Sequence, residues 1–512
     1  MAIIDFFDRG WRIAPDGVAY IQDERNHTYR EVGEQSCRIA HALLAAGLSG
    51  GAKGAVWAGN EVQAWTCTLG LWRANMAWIP VNSRNPVEDN QALLDAFDCE
   101  VVFYQQAYAE AIGAMRAALP KVRLWVCIET ELAAWCGAQP ATPPQVDYDM
   151  DDVVMLSPTG GTTGMPKGVM NTHRSIQTFV AHYMLTCHYR QGEHPVNLAA
   201  APMTHTAGLL SLPTSARGGT VVIVTKPDPA VMLGAIARHR VTEFFLPPTV
   251  IYRLLEVPGI AQLDFSSLKY FLYGAAPMSV DKLKRAIDTF GPVMTGGYGQ
   301  TEAPASIALL PPDQHFHNGQ VAPEQRLASV GRPSPLIQVE IMDEHNRILA
   351  QGATGEICVR GDLLMKGYYK APEKTAETII DGWLHTGDIG HIDDEGYLHI
   401  TDRKKDMLIS GGFNVYPSEV EQVIWAHPAV QDCAVIGVPD EQWGEAVKAV
   451  VELNPGHSVD ALELIALCKE KLGSVKAPKS VDFVAALPRS TVGKVLKKDL
   501  RAQYWAAAAR KI

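Results

Sequence analysis

Apolar residues recur at helical spacing from Val32 to Leu48, with Ile39, Leu43 and Leu44 on one face, and the short apolar run Gly54 to Ala58 that follows reads as a strand. The alternation then repeats: a helix over Val62 to Ala74, a strand over Cys99 to Tyr104, a helix over Ala107 to Ala118 and a strand over Val122 to Ile128. Such alternation marks right-handed βαβ units, so an α/β domain is predicted. Gly137 to Asp149 holds Pro140, Pro143 and Pro144 without periodicity and reads as a surface connection. A second α/β run follows, with strands at Val153 to Leu156, Val221 to Val224, Val241 to Leu246 and Lys269 to Tyr273, and helices near Ser175, Ala230, Val250 and Val280. Two packed, doubly wound sheets account for both runs. Beyond Ser329, short alternating runs at Ile337 to Met342 and Gly355 to Val359, set between Gly, Asp and Asn turns, predict a small β subdomain. After Lys404 the pattern returns to mixed α and β, with helices at Pro417 to Ala426 and Val459 to Leu472 in a small separate module.

Length and charge narrow the classes. At roughly 150 residues per domain, 512 residues with 47% hydrophobic content make several domains and exclude a disordered chain. A net charge of -11 argues against binding nucleic acid through the whole surface. Asp5 and Asp8 stand where a signal peptide would be basic, so no leader is expected. Arg73 interrupts the apolar run Trp65 to Trp72 well short of a spanning helix. The nine cysteines never form C-x-x-C, and buried thiols in a reducing cytoplasm are expected. In the basic run Lys494, Lys497, Lys498 and Arg501, Lys497 and Lys498 are expected to face solvent.

The chemistry concentrates in Ser157 to Gly168, S-P-T-G-G-T-T-G-M-P-K-G, a Gly-rich loop that leaves an apolar strand and is expected to lead into a helix. Backbone N–H groups and threonine hydroxyls converging in such a loop suit a polyphosphate. It is not a Walker loop, because Met165 and Pro166 separate Gly164 from Lys167. A second motif misleads: Gly47 to Gly51, G-L-S-G-G, has the spacing of a nucleophile elbow, but a helix precedes it, which makes Ser49 part of a helix-ending turn.

The segment T-G-G-T-T-G-M-P-K-G-V resembles the phosphate loop of the adenylate-forming superfamily, which includes acyl-CoA synthetases, peptide-synthetase adenylation domains and luciferases. Four more segments match in order: Tyr298 to Glu302 (Y-G-Q-T-E), Leu384 to Asp388 (L-H-T-G-D), Asp402 to Asp406 (D-R-K-K-D) and the stretch around Lys494. The resemblance covers essentially the whole chain. It implies an α/β N-terminal domain, residues 1–402, of two doubly wound sheets and a small β subdomain. A hinge at 403–405 and a small mobile α+β domain at 406–512 complete the expected architecture.

The same resemblance assigns roles. Thr159, Gly160, Gly161, Thr162, Thr163, Gly164 and Lys167 would hold the ATP phosphates, and Gly160 stands where a serine is commoner. Gly274, Ala275, Ala276, Gly297, Tyr298, Gly299, Gln300 and Thr301 would line the adenine slot, where a flat base needs an aromatic face and little bulk. Asp388 would accept from both ribose hydroxyls, with Arg403 near ribose and phosphate. Glu302 would bind Mg2+, which prefers hard oxygen donors. Lys494 would stabilise charge on the α-phosphate during adenylation, and Lys405 would be the hinge. For the thiol step, Ser410, Gly411 and Gly412 would pass the pantetheine arm close to the backbone, with Trp443 and Lys479 toward the CoA nucleotide. Val475 and Ala477 depart from the aromatic residue and arginine common there.

His205, Gly208, Leu246, Gly274, Gly296 and Ala303 are the residues expected at the acyl group, His205 as a lining residue and gate. Apart from Glu302, the segments that resemble the acyl pocket carry no charge, which disfavours dicarboxylates and amino acids and favours an apolar fatty, cyclic or aryl monocarboxylate. The expected activity is a carboxylate–CoA ligase that uses ATP, Mg2+ and CoA; homodimerisation is compatible with it. Rivals are an adenylating enzyme with another acceptor, such as a carrier protein, and a nucleotide-binding regulator without catalysis.

Overall fold

The computed structural model describes residues 1–159, 167–204, 206–410, 413–440, 443–489 and 495–509. Two large sheets dominate. In the seven-stranded sheet, Gly367–Tyr368, Lys167–Thr172, Val153–Thr159, Ala77–Pro80, Lys53–Trp57, Val101–Tyr104 and Leu124–Cys127 lie in that order. In the nine-stranded sheet, the order is Arg332–Pro333, Ala308–Leu310, Met294–Tyr298, Tyr270–Gly274, Glu243–Leu246, Val196–Ala199, Thr220–Ile223, Val18–Gln22 and Arg25–Thr28.

The sheets do not follow the division expected from the order of the chain. Val153–Thr159 joins the first run of strands, whereas Val18–Gln22 pairs in parallel with Thr220–Ile223. The helices His173–Thr186 and Val62–Arg73 contribute to the main core. In that core Trp65, Trp72 and Trp78 meet edge-on, with ring centroids 5.4 to 5.8 Å apart. Arg73, which limits the apolar run, is itself buried and paired to Asp8 at 2.6 Å.

Several boundaries shift for local reasons. The first long helix is Tyr29–Ala45, begun three residues early by a capping box between Thr28 and Glu31. Ala109–Met115 is shorter than expected because 3-10 turns flank it. Ala461–Lys476 runs beyond Leu472, with a non-helical residue at Gly473 (φ +80°). Ser49 is exposed just beyond the helix-ending turn at 43–48, and its carbonyl closes a separate turn onto Ala52. All nine cysteines are free and buried. Among the described residues no helix is long and apolar enough to cross a membrane.

The small β subdomain is a sheet of Ile337–Met342, Gly355–Gly361, Trp383–Ile392 and Ile379–Ile380, with Leu398–Arg403 on the free side of Trp383–Ile392. A turn at 404–406 leads to Leu408–Ser410 and to a final sheet in which Val430–Asp440 and Gly444–Leu453 form the long central pair. The helices Pro417–Trp425 and Ala461–Lys476 cover a separate core there. Lys497, expected in solvent, is only 21% exposed and pairs with the buried Glu421 at 2.7 Å. The cause is that Lys497 opens the helix Lys497–Ala509 where it crosses Val430–Asp440.

Candidate active site

The Gly-rich loop does not run from strand to helix. Val153–Thr159 and Lys167–Thr172 pair antiparallel, with Thr159 opposite Lys167, so a strand and not a helix follows the motif. The helix begins only after Thr172, whose side chain and Ser175 form its capping box. Gly160, Gly161, Thr162, Thr163 and Gly164 lie outside the described residues, as do His205, Gly411, Gly412 and Lys494.

Four expected nucleotide residues converge. Asp388 is 4% exposed and sits opposite Arg403 across two antiparallel strands. Its Oδ1 lies 3.1 Å from Arg403 Nε, and its Oδ2 accepts from the Tyr298 hydroxyl and from Gln300 Nε2, each at 2.7 Å. Gln300 also donates to Thr386 O at 2.8 Å. Burial, reinforced by the adjacent Asp388 carboxylate, pushes the Tyr298 hydroxyl well above its ordinary pKa and keeps it a donor. A carboxylate has about four acceptor sites on its two oxygens, so one held by three protein donors can still accept from a ribose hydroxyl.

The glycines shape the neighbouring slot by backbone approach. A Cβ on Gly274 would lie 2.4 Å from Gly297 O on the adjacent strand, and one on Gly299 would lie 2.5 Å from Ala305 N. Ala275 follows at φ +68°, where the strand turns outward. Ala276 is half-buried beside it. Thr301 O accepts from Asn171 Nδ2 at 3.3 Å, which fastens the residue before Glu302.

Glu302 Oε1 accepts from Tyr368 Oη at 2.9 Å, and its other oxygen has no hydrogen bond among the described residues. One free hard oxygen fits a magnesium ion whose remaining ligands are triphosphate oxygens and water. No group of three or more His, Cys, Asp or Glu among the described residues forms a self-contained metal cage. Lys167 Nζ lies 4.8 Å from the centroid of the Tyr368 ring.

The acyl candidates divide. Gly296 leaves room for Tyr273, whose hydroxyl would be 3.0 Å from a Cβ there and is hydrogen-bonded to His315 Nε2 at 3.0 Å. Burial lowers the His315 pKa to about 4, so this buried pair is uncharged near neutrality. Ala303 is fully buried. Gly208 is small for packing, since a Cβ would meet Met203 O at 2.1 Å and the Trp65 ring at 2.8 Å. Leu246 shares its strand face with Phe244 and packs into the second core beside Phe271 and Tyr273, whereas Phe245 faces the main core.

Two residues not singled out from the sequence organise this region. Asn60 Nδ2 donates to Ala201 O at 3.0 Å and its Oδ1 accepts from Met203 N at 2.8 Å, which anchors the segment just before His205. Glu356 accepts from Gly387 N at 3.0 Å and from Lys404 Nζ at 3.2 Å, while Lys404 N donates to Gly387 O at 2.8 Å. Burial opposes the charge on Glu356, but His385 and Lys404 hold its pKa below the ordinary range. The loop carrying Asp388 is thereby tied to the turn containing the exposed Lys405.

In the C-terminal module, Lys479 Nζ lies 5.0 Å over the Trp443 ring and donates to Ser474 O at 2.6 Å. Burial, aided by Lys469, lowers the Lys479 pKa. Ser410 is buried opposite Gly444, and its Oγ has no partner among the described residues.

Comparison with known proteins shows what the chain is similar to. Residues 7–369 match the family described as AMP-binding enzyme, and residues 419–494 match the AMP-binding enzyme C-terminal domain. A feruloyl-CoA synthase of Amycolatopsis sp is 35% identical over 96% of this chain and 97% of its own. A medium/long-chain fatty-acid–CoA ligase of Mycobacterium tuberculosis is 42% identical over 73% of this chain, and the match spans 65% of that relative's length. Among solved structures, an amide bond synthetase of Marinactinospora thermotolerans superposes with a TM-score of 0.89 at 30% identity, covering 98% of this chain and 100% of that one.

Proposed function

We propose a reaction from a fixed premise: this chain belongs to the adenylate-forming family of AMP-binding enzymes. The proposed reaction is AMP-forming ligation of an apolar carboxylic acid to CoA, with cytoplasmic enzyme, Mg-ATP and CoA as the reactants. The acid's carboxylate attacks the α-phosphorus and expels pyrophosphate; the CoA thiolate then attacks the acyl carbonyl and expels AMP. The observation that carries the reading is the Asp388 centre, which joins Tyr298, Gln300 and Arg403 from separate strands and turns around one carboxylate.

In this reading Asp388 and Arg403 orient the ribose, and Gly274, Gly297 and Gly299 let the adenine lie against backbone. Glu302 would hold Mg2+, which neutralises charge on the triphosphate when bound. Lys167 steadies the outer phosphates. The substrate carboxylate is already ionised at neutral pH, so adenylation requires no general base. The neutral Tyr273 and His315 pair supports an uncharged acyl group. The feruloyl and fatty-acid relatives support aryl and medium-chain fatty acids alike. Trp443 and Lys479 support CoA as acceptor, and the amide synthetase keeps a different nucleophile as the second reading.

The test is AMP and pyrophosphate release with Mg-ATP across straight-chain, cyclic, benzoic and cinnamic acids, with CoA, an amine or a carrier protein as acceptor. Acid-dependent AMP release that turns over only with CoA supports the ligase. Turnover with an amine or a carrier protein, and none with CoA, moves the chain to the second reading.

We assign residues 1–402 to adenylation, 403–405 to the hinge and 406–512 to the module that rotates for the thiol step. Lys405→Pro is expected to slow thioester formation from supplied acyl-AMP more than it slows acid-dependent pyrophosphate exchange. Proline fixes φ at 405 and restricts residue 404, so the turn loses the rotations that a hinge uses. Unchanged rates in both half-reactions would remove Lys405 from the hinge.

A further inference from the structure

We propose that Tyr368 is a positioning residue that keeps Lys167 and Glu302 apart and aims both at the polyphosphate, an inference that rests on reading Glu302 as the magnesium carboxylate. The phenol contacts both charges. Its hydroxyl donates to Glu302 Oε1 at 2.9 Å, while Lys167 Nζ lies 4.8 Å from the ring centroid. No ion pair joins Lys167 to a described carboxylate, although the ammonium lies over the Tyr368 ring and the Glu302 carboxylate accepts from its hydroxyl. Without that ring as a spacer, the two opposite charges would be drawn together and neutralise each other. With it, one carboxylate oxygen and the ammonium both stay available to a ligand.

The backbone is built to hold the ring there. Gly367–Tyr368 pairs antiparallel with Val169 and Met170, two and three residues after Lys167. On the other side, Met365 N donates to Glu302 O at 2.8 Å, so a single short segment is bonded to both motifs. Tyr368 N donates to Thr375 Oγ1 at 2.9 Å, and Tyr369 N donates to Gly168 O at 2.7 Å. The side chain is 6% exposed, which leaves it little freedom to swing away. A group that orients a metal-binding carboxylate by a hydrogen bond commonly governs metal affinity by about 10- to 100-fold.

Two substitutions separate the two roles. Tyr368→Phe keeps the spacer and its cation–π face but removes the hydrogen bond. By calorimetric titration of ATP at a series of Mg2+ concentrations and in EDTA, its Mg2+ half-saturation is expected to rise about tenfold, with EDTA-state ATP affinity unchanged. Tyr368→Leu removes the spacer as well, and ATP affinity in EDTA is expected to fall too. Excess Mg2+ should restore the Phe variant but not the Leu variant. Glu302→Gln, titrated alongside, tells the two levels apart. If Glu302→Gln leaves Mg2+ dependence untouched, the metal reading itself fails. If Glu302→Gln shifts it and Tyr368→Phe does not, the role of Tyr368 is overturned while the metal reading stands. Identical curves for the Phe and Leu variants would overturn the spacer.

Discussion

Lys494→Ala is expected to lower acid-dependent pyrophosphate exchange by about 10²- to 10³-fold, the usual cost of removing one group that stabilises transition-state charge. Thioester formation from supplied acyl-AMP should continue near the unmodified rate. The asymmetry follows from how the segment around this lysine is anchored. Upstream, Arg489 Nη2 is paired with Asp432 at 2.7 Å and Glu452 at 3.2 Å. Downstream, Lys497 is paired with Glu421 at 2.7 Å, and Arg489 and Val495 form an isolated antiparallel bridge. Both ends of the stretch containing Lys494 are therefore fastened to the C-terminal module and travel with it. Asp388, Glu302 and Lys167 belong to the other part of the chain. Under the proposed rotation, a residue carried by the C-terminal module serves only the stance that brings it to the α-phosphate. Equal loss in both half-reactions would overturn the alternation of stances, because it would place Lys494 at the nucleotide throughout.

Residues whose chemistry is local to a short motif were legible in the sequence. Tyr298, Gln300, Asp388 and Arg403 stand in contiguous motifs, and the structure brings them within hydrogen-bond or ion-pair distance of one carboxylate. Asn60, Glu356 and Tyr368 were not legible, because each acts on a partner distant in sequence and shows its role only when strands are paired. The strand Lys167–Thr172 was hidden by its shortness between a glycine-rich loop and a capping box. Met294–Tyr298 was missed for a related reason: M-T-G-G-Y has poor strand propensity, and Gly296 is small because Tyr273 packs against it. The placement of Leu246 could have been anticipated from alternation alone, since it shares parity with Phe244 rather than with Phe245. A basic run near the end of a chain suggests a solvated face, and nothing near Lys497 in sequence announces Glu421.

That pair carries the largest stability effect expected in this protein. Lys497→Met should destabilise the C-terminal module by about 3–5 kcal/mol at neutral pH, measured by chemical denaturation, because it leaves a buried carboxylate uncompensated. Glu421 is 4% exposed, and among the described residues its carboxylate otherwise accepts a hydrogen bond only from the N–H of Val435, at 2.7 Å. Replacing both partners, as Glu421→Gln with Lys497→Met, should recover much of the loss, since the neutral amide no longer needs a cation. The pH dependence has a definite sign. Burial disfavours the Lys497 ammonium, but Glu421, Asp402 and Asp406 together raise its pKa above that of a free lysine. Its contribution is thus complete below the ordinary lysine pKa of about 10.4 and is lost as pH rises through the folded-state value. The wild-type module should lose this stability at alkaline pH, whereas Lys497→Met should lack that limb. In the same variant, acid should narrow the deficit as the unpaired Glu421 takes up a proton. A variant within about 0.5 kcal/mol of wild type at neutral pH would overturn the assignment, reducing the pair to an ordinary surface contact. A loss of stability with pyrophosphate exchange also lowered would tie the anchor at Lys497 to the placement of Lys494, three residues before it.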